Sequence, residues 1–599
     1  MEAKKLLTLA LTGLLAGGCL MVPALAEDAD GQSSGNPATY TIPARVKRIE
    51  DYAFAGDTTL ERVKIPDGVT EIGDYAFSGC TNLQEIELPD GLTKIGNHAF
   101  DGCTALVRLG DMNQLESIGE YAFSGCEVLE SIGDMPNLQT IGNHAFAEQW
   151  FMDEDNGEYT TISCKSLKTI GNLDSVTRIG SEAFSGCREL ESVGALPNVT
   201  KIAFGAFQNC EKLKKVEGLG KLTAINRNTF IGCTSLKSIG NLLNVTSIGY
   251  FAFSGCSSLA SVGDLSSVTS IGMSAFGGCS SLASIGDLSS VTSIGDSAFA
   301  GCASLESVGN LQNVKSIGNS AFGSYTYYDE NNNKYTDAYC SALKQIGDMP
   351  KLETIGKSAF CGCSSLASVG DLSSVTSIGN SAFNDCSSLA SVGDLSNVTS
   401  IGDWAFYHCS SLASMGDLSN VTSIGRQAFS GCSVLARVGD LSGVTSIEAM
   451  AFYGCSSLAS VGDLSSVTSI GDSAFNDCSA LASVGDLSSV TSIEAMAFYG
   501  CSSLASVGDL SNVTSIGEYA FDGCSLLVSV GDLSSVTSIG GLAFYGCSSL
   551  ASVGDLRSVT EIGNYAFDAC SNLTLRVLPN SYAEDYAKSH NIKYTYIED

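Results

Sequence analysis

Phenylalanine returns every 23 residues along this chain. Phe54, Phe77, Phe100, Phe123 and Phe146 form one run, Phe184 through Phe322 a second, and Phe360 through Phe567 a third. That makes 22 copies, and the two gaps of 38 residues are each one period plus the same 15-residue insertion. A period in this range is the signature of stacked supersecondary units, so the chain is confined to a repeat architecture. In the copy ending at Phe475 the apolar positions are Val461, Leu464, Val467, Ile470, Ala474, Phe475, Cys478 and Leu481. The step is three residues, which fits neither the 3.6-residue period of an amphipathic helix nor the alternation of a free strand. It fits a chain coiling round a narrow core, in which each coil covers its apolar side only by stacking on its neighbours. Parallel stacking at about 4.8 Å per coil gives a rod on the order of 100 Å long.

Many copies are nearly identical. The text CSSLASVGDLSSVTSIG, or a version differing by one or two residues, begins at Cys256, Cys279, Cys363, Cys386, Cys409, Cys455, Cys501 and Cys547. An enzyme needs a few unlike groups at one point, whereas this text supplies the same groups at fixed intervals. Composition narrows the choice further. The chain carries 64 acidic and 31 basic residues, a formal charge of −33, which opposes long-range attraction to nucleic-acid phosphates or anionic lipid. His98, His144, His408 and His590 are scattered, and no pair has a metal-binding spacing.

The element SIGDSAFNDCSAL, and its earlier form EIGDYAFSGCTNLQEIELPDGLTKIGNHAF at residues 71–100, resembles the BspA-like leucine-rich repeat family of bacterial and protist surface proteins. The resemblance spans about residues 40–576. It implies a repeat solenoid, a right-handed leucine-rich-repeat superhelix of about 22 stacked coils with a parallel β-sheet and short helical turns around the Ala-Phe element. It also implies a surface-exposed attachment protein. Most copies read SVGDLSSVTSIG where the family has IxLPxxVTSIG, so the strand is expected to break at the Gly-Asp.

The segments outside the repeat are unlike it. Lys4 and Lys5, the apolar run LLTLALTGLLAGG and the small-x-small end Ala24-Leu25-Ala26 read as a signal peptide over residues 1–26, cleaved before Glu27. A competing reading takes Leu15-Ala16-Gly17-Gly18-Cys19 as a lipoprotein box acylated at Cys19, but the residues after Cys19 stay apolar. Residues 27–39 are an acidic, Gly/Ser-rich linker. No later segment reaches the ~18 continuous apolar residues of a membrane span. Residues 577–599 are expected to cap the solenoid, with Ser581-Tyr582-Ala583-Glu584 as a capping box for a short helix and IKYTYI as a last strand.

Three sets of residues are candidates for chemistry. Of the 23 cysteines, 21 lie three residues after the repeat Phe once the insertions are allowed for, as in Phe452/Cys455, Phe475/Cys478 and Phe498/Cys501. Stacked coils hold equivalent Cβ atoms about 4.8 Å apart on parallel bonds, whereas a disulfide wants about 3.8 Å and converging bonds, so a buried ladder of reduced thiols is expected. Cys361 stands outside the column, on a turn. A second column carries Asp in most copies, from Asp111 and Asp134 to Asp532 and Asp555, and Asn at 172, 241 and 310. It is either an acidic stripe collecting Ca2+ or a row of turn residues accepting backbone N–H groups, and the Asn substitutions favour the turn. Catalysis has little to stand on: no His recurs beside the Asp column, and identical carboxylates do not split into an acid and a base.

The insertions, near 147–163 and 323–339, are the third set. The first, AEQWFMDEDNGEYTTIS, has an Asn156-Gly157 hairpin turn signal, and the second, GSYTYYDENNNKYTDAY, holds five tyrosines. Both should project from one face, seven coils apart. They are either edge-shielding additions or a binding patch built on Trp150, Phe151, Tyr159, Tyr325, Tyr327, Tyr328 and Tyr335. The sequence therefore reads as a secreted or cell-surface binding protein for an extracellular protein or glycan, without catalytic or cofactor-binding residues. The alternatives are a structural spacer and, more weakly, a hydrolase.

Overall fold

A computed structural model describes residues 39–147, 149–152, 159–329 and 333–597, with backbone alone for 149–152, 159–162, 328 and 329. The expected leader, the lipoprotein box and most of the linker fall outside the described residues. From Thr39 onward the chain is one unit, a solenoid of parallel two- and three-residue strands in which coil pairs with coil in register. The three-residue step turns inward as written: Val461, Leu464, Val467, Ile470, Ala474, Phe475, Cys478 and Leu481 are all buried. Each Phe ring lies flat on the next, with centroids 5.0 to 5.5 Å apart and planes within 10°. Burying such a ring contributes about 1.5–3 kcal/mol, and the column repeats that contribution coil after coil.

Two strand columns run along the rod. The one built on Ser-Ile holds seven strands from Arg48–Ile49 to Lys201–Ile202, then fifteen from Ala224–Ile225 to Glu561–Ile562. The other starts with three-residue strands at Thr39–Thr41, Arg62–Lys64 and Glu85–Glu87. Where the text becomes SVGD it shrinks to single bridges, such as Ser368↔Ser391 and Ser460↔Ser483. The cause is local. The carboxylate of Asp463 accepts the backbone N–H of Ser465 at 2.9 Å, a tight turn that takes the chain out of the ladder.

The helical turns expected around Ala-Phe are absent from the described coils. In every coil the residue two before Phe has a left-handed backbone, from Tyr52 (φ 58) to Tyr565 (φ 58), and most coils repeat this two residues after Phe, as at Gly79 (φ 72). An α-helix cannot pass through such points. The segment instead turns its N–H groups along the rod. Those of Tyr75, Phe77 and Gly79 donate to the carbonyls of Asn97, Ala99 and Asp101 in the following coil at 2.8, 2.8 and 2.7 Å. These bonds offset the left-handed strain.

Both ends of the rod meet an edge-on tyrosine. Tyr40 contacts Phe54 at 5.7 Å and Tyr586 contacts Phe567 at 6.2 Å, each at 71°. Tyr586 sits on the α-helix Tyr582–Ser589, whose N-cap Ser581 accepts the N–H of Glu584. The strand Lys593–Tyr596 then pairs with Thr574–Val577.

Candidate functional site

Both insertions leave the coil just after the Phe turn and form antiparallel hairpins. In the first, Gln149–Met152 pairs with Tyr159–Ile162, which puts Trp150 opposite Thr161, Phe151 opposite Thr160 and Tyr159 opposite Met152. The side chains of these residues and the Asn156-Gly157 turn lie outside the described set. In the second, Tyr325–Asp329 pairs with Lys334–Ala338, with Tyr325 opposite Ala338, Tyr327 opposite Thr336 and Tyr328 opposite Tyr335.

The second hairpin does not simply stand off the coil. Tyr325 is half-buried and lies back over the two preceding coils: a Cβ on Gly278 would come within 2.7 Å of its ring, and one on Gly301 within 2.5 Å of its own Cβ. On the other side Tyr339 occupies the space over Gly362. Glycine at these places is what allows the two rings to seat. Thr326 Oγ1 donates to Asp337 at 2.5 Å and ties the strands. Among the described side chains of this hairpin the rings facing solvent are Tyr327, 43 % exposed, and Tyr335, 76 % exposed. Tyr325 thus serves the hairpin's base, while Tyr327 and Tyr335 offer contact area.

A second aromatic feature went unread in the sequence. Tyr52, Tyr75, His98, Tyr121 and His144 share the position two before Phe, and their rings stack with centroids 4.8, 4.4, 4.7 and 4.6 Å apart. Asp101 Oδ2 lies 2.9 Å from His98 Nδ1, and Tyr52 at the open end is 55 % exposed. Burial within the stack raises the phenol pKa values of Tyr75 and Tyr121. The signal was available: reading the column two places before Phe at the repeat period gives aromatic rings in the first five coils. The stack ends at His144, immediately before the first hairpin.

The cysteine column is buried from Cys80 to Cys547, with Cys570 half-buried. Each thiol is more than a filler, because it donates to a Phe carbonyl of the preceding coil. Cys455 Sγ lies 3.1 Å from Phe429 O, Cys478 3.2 Å from Phe452 O and Cys501 3.1 Å from Phe475 O. Burial pushes the thiols of Cys233, Cys432 and Cys501 up to about 12, which makes them poor nucleophiles and poor ligands. Cys361 is half-buried and pushed up to about 11. In the Asp column, Asp394, Asp417, Asp440 and Asp486 each accept the N–H two residues on at 2.8 to 2.9 Å. Among the described residues no group of three or more His, Cys, Asp or Glu is placed to hold a metal ion, so nothing in the geometry supports Ca2+ on the stripe. Among them, too, no helix is long and apolar enough to cross a membrane.

A parallel-strand solenoid of short coils with stacked Phe and Leu columns and surface hairpins defines a leucine-rich-repeat protein. The model of the BspA type leucine rich repeat region matches residues 33–151, 157–283, 246–337, 330–459 and 445–574, and the chain belongs to that family. Several solved structures are similar. A leucine-rich repeat protein from Bacteroides ovatus is 22 % identical over 95 % of this chain and 94 % of its own, with a TM-score of 0.23. The leucine-rich repeat protein of T. pallidum is 32 % identical over 33 % of this chain and 77 % of its own, TM-score 0.24. A leucine rich cell surface protein from Faecalibacterium prausnitzii is 24 % identical over 75 % of this chain and 88 % of its own, TM-score 0.24. No curated protein matches the chain.

Proposed function

We propose that this protein is exported and works at the cell surface by binding an extracellular macromolecule, with the two hairpins carrying specificity. The observation that carries the reading is a rigid base under exposed rings: Tyr325 and Tyr339 are seated on glycines of the coils, while Tyr327 and Tyr335 face solvent. Aromatic area held at low entropic cost is what dominates binding hot spots, at about 2 kcal/mol or more per anchor. Near-identical coils, by contrast, give a ligand many equivalent seats and little selectivity. Trp150, Phe151, Tyr159 and Tyr328 are candidates for the same role, with side-chain alternation along each strand turning only some of them toward a ligand. Leucine-rich-repeat solenoids generally serve as binding or scaffold folds, which agrees with this role, and the family likeness includes a protein described as a cell surface protein.

The test is a binding screen of the full chain against extracellular-matrix proteins and cell-surface glycans. It is repeated with residues 147–163 and 323–339 each replaced by the two-residue turn of the other copies. At least tenfold weaker binding with unchanged circular dichroism is the expected result, and unchanged affinity would move the site to the repeated face. A spacer role is favoured by the unbroken fifteen-strand sheet, and self-association without any ligand in the screen would establish it. N-terminal sequencing of the exported protein should give Glu27 as the first residue.

A further inference from the structure

Tyr453, Tyr499 and Tyr545 occupy the place immediately after Phe in every second coil, 46 residues apart. Each is followed by a glycine in the left-handed conformation, Gly454 (φ 70), Gly500 (φ 69) and Gly546 (φ 70), so no neighbouring side chain of the same turn covers the ring. The three are 39, 38 and 42 % exposed, and their hydroxyls have no hydrogen-bond partner among the described residues. Tyr407 continues the row toward the N-terminus but is covered by stacking on His408 at 3.9 Å, so the open row starts at Tyr453. In the coils between, the same place holds Asn476 and Asp522. Asn476 is buried with its Oδ1 unpaired.

The spacing of this row selects among polymers. The rings of the Phe residues that immediately precede these places in the chain advance 5.3, 5.3, 5.2 and 5.1 Å per coil between Phe452 and Phe544. Two coils on this arc therefore advance about 10.5 Å, slightly more than twice the usual strand spacing. An extended peptide presents one face every ~6.8 Å and cannot keep step. A polyproline helix repeats every ~9.3 Å, about 1 Å short at each interval, and drifts more than 2 Å out of register over the row. A radial gap of ~1 Å already forfeits up to half of a contact's dispersion energy. An extended β-1,4-linked glycan turns the same sugar face outward once per disaccharide, and that repeat matches the interval. The charge of −33 disfavours polyanions, which favours a glycan without acidic groups as the partner.

The geometry points to a second binding site, for an extended, uncharged β-1,4-linked glycan whose alternate sugars stack on Tyr453, Tyr499 and Tyr545. The ring faces supply apolar area, the hydroxyls pair with sugar hydroxyls, and five consecutive sugars span the row. This site is separate from the hairpins and does not depend on their role.

Calorimetric titration of the full chain with cello-oligosaccharides and N-acetylated chito-oligosaccharides tests it, with oligoproline as a third arm. Affinity should rise at least tenfold from disaccharide to hexasaccharide in one of the glycan arms, and that arm identifies the source of the glycan. The triple variant Tyr453→Ala, Tyr499→Ala, Tyr545→Ala should lose at least tenfold. A chain lacking residues 456–478 and 502–524 keeps all three tyrosines but sets them one coil apart, and it should lose as much. The chain without hairpins should bind the glycan as the native chain does. No glycan binding, no dependence on oligosaccharide length, tighter binding of oligoproline, or full binding by the compressed chain would each overturn the proposal. The length series uses only the native chain, so it decides the matter even if a variant misfolds.

Discussion

The coils before about residue 220 and those after about residue 360 share one core and differ in their skin. In the first region, side chains one coil apart form ion pairs: Lys64 with Glu87, Lys212 with Glu189 and Lys214 with Glu191, each at 2.6 Å. In the second, among the described residues, His408 beside Asp385 at 3.3 Å is the pairing between residues 360 and 550, and the Thr hydroxyl bonds that the first region makes in places, as from Thr93 to Thr70 and from Thr200 to Thr177, run on from coil to coil without charges beside them. Thr399, Thr422, Thr445 and Thr468 each donate to the carbonyl of the preceding Thr at 3.1 Å. An ion pair needs a chosen partner in the neighbouring coil, whereas a Thr ladder accepts any coil of the same text. The second region is thus built of interchangeable parts. The segment TSIEAMAFYGCSSLASVGDLS, present at Thr445 and again at Thr491, shows that exchange in the sequence itself.

If the core is common, an attack on the core should strike both regions alike, and alkali does so most strongly. Burial holds Cys80, in the charged part, and Cys432 and Cys501 at about 12. An unfolded thiol ionises near ~8.5. Because the folded value is the higher one, the stabilisation is complete below the unfolded pKa and is lost as pH rises toward the folded pKa. Each such thiol then costs about 1.4 kcal/mol per pH unit. Circular dichroism should show cooperative loss of structure between about pH 9 and 12, with coils of both regions exposing thiols together. A chain intact at the top of that range would refute the common buried ladder.

Next in size, Phe100→Ala and Phe475→Ala should each destabilise by about 3–5 kcal/mol, since both empty a place in the same ring stack. Urea unfolding checks this, and a clear inequality between the two would mean that the cores differ after all. Removal of residues 456–501, two whole coils of the second region, should shorten the rod by roughly 10 Å and leave the melting temperature nearly unchanged. Removal of residues 81–126 should lower it visibly, because it replaces selected neighbours by strangers. Small-angle scattering and thermal melts separate these outcomes. The smallest effect is salt. Raising NaCl from low concentration to 1 M should speed hydrogen exchange in the charged coils and leave the hydroxyl-laddered ones unaltered.

The repeat, its inward positions and the break at Gly-Asp were legible because each depends on one coil's text and its copies. The backbone of the Ala-Phe segment was not. Tyr, His, Ser, Trp and Met all stand in the left-handed position two before Phe, so residue type gave no hint of it, and the conformation is imposed by hydrogen bonds to the next coil. The thiol's bond to Phe O was hidden for the same reason, since its partner lies 26 residues away. Reading down columns instead of along the chain would have found the Tyr52 to His144 stack. The hairpins were legible as hairpins from their strand-like flanks, but the seat of Tyr325 on Gly278 and Gly301 was not, because it depends on coils the insertion does not adjoin in sequence.

In most coils the three N–H groups at and around Phe point toward the C-terminal neighbour, yet on the strand just before them the direction reverses. There Gly73 N–H donates to Ile49 O and Thr93 N–H to Thr70 O, toward the N-terminal neighbour. A coil therefore has two distinct faces, each with donors on one arc and acceptors on the other, like a plug with its socket on the reverse. Turned over, it would set donor against donor. The rod is directional in a way that no side chain determines, so coils gained by duplication can enter only head to tail, as translation of a tandem copy delivers them.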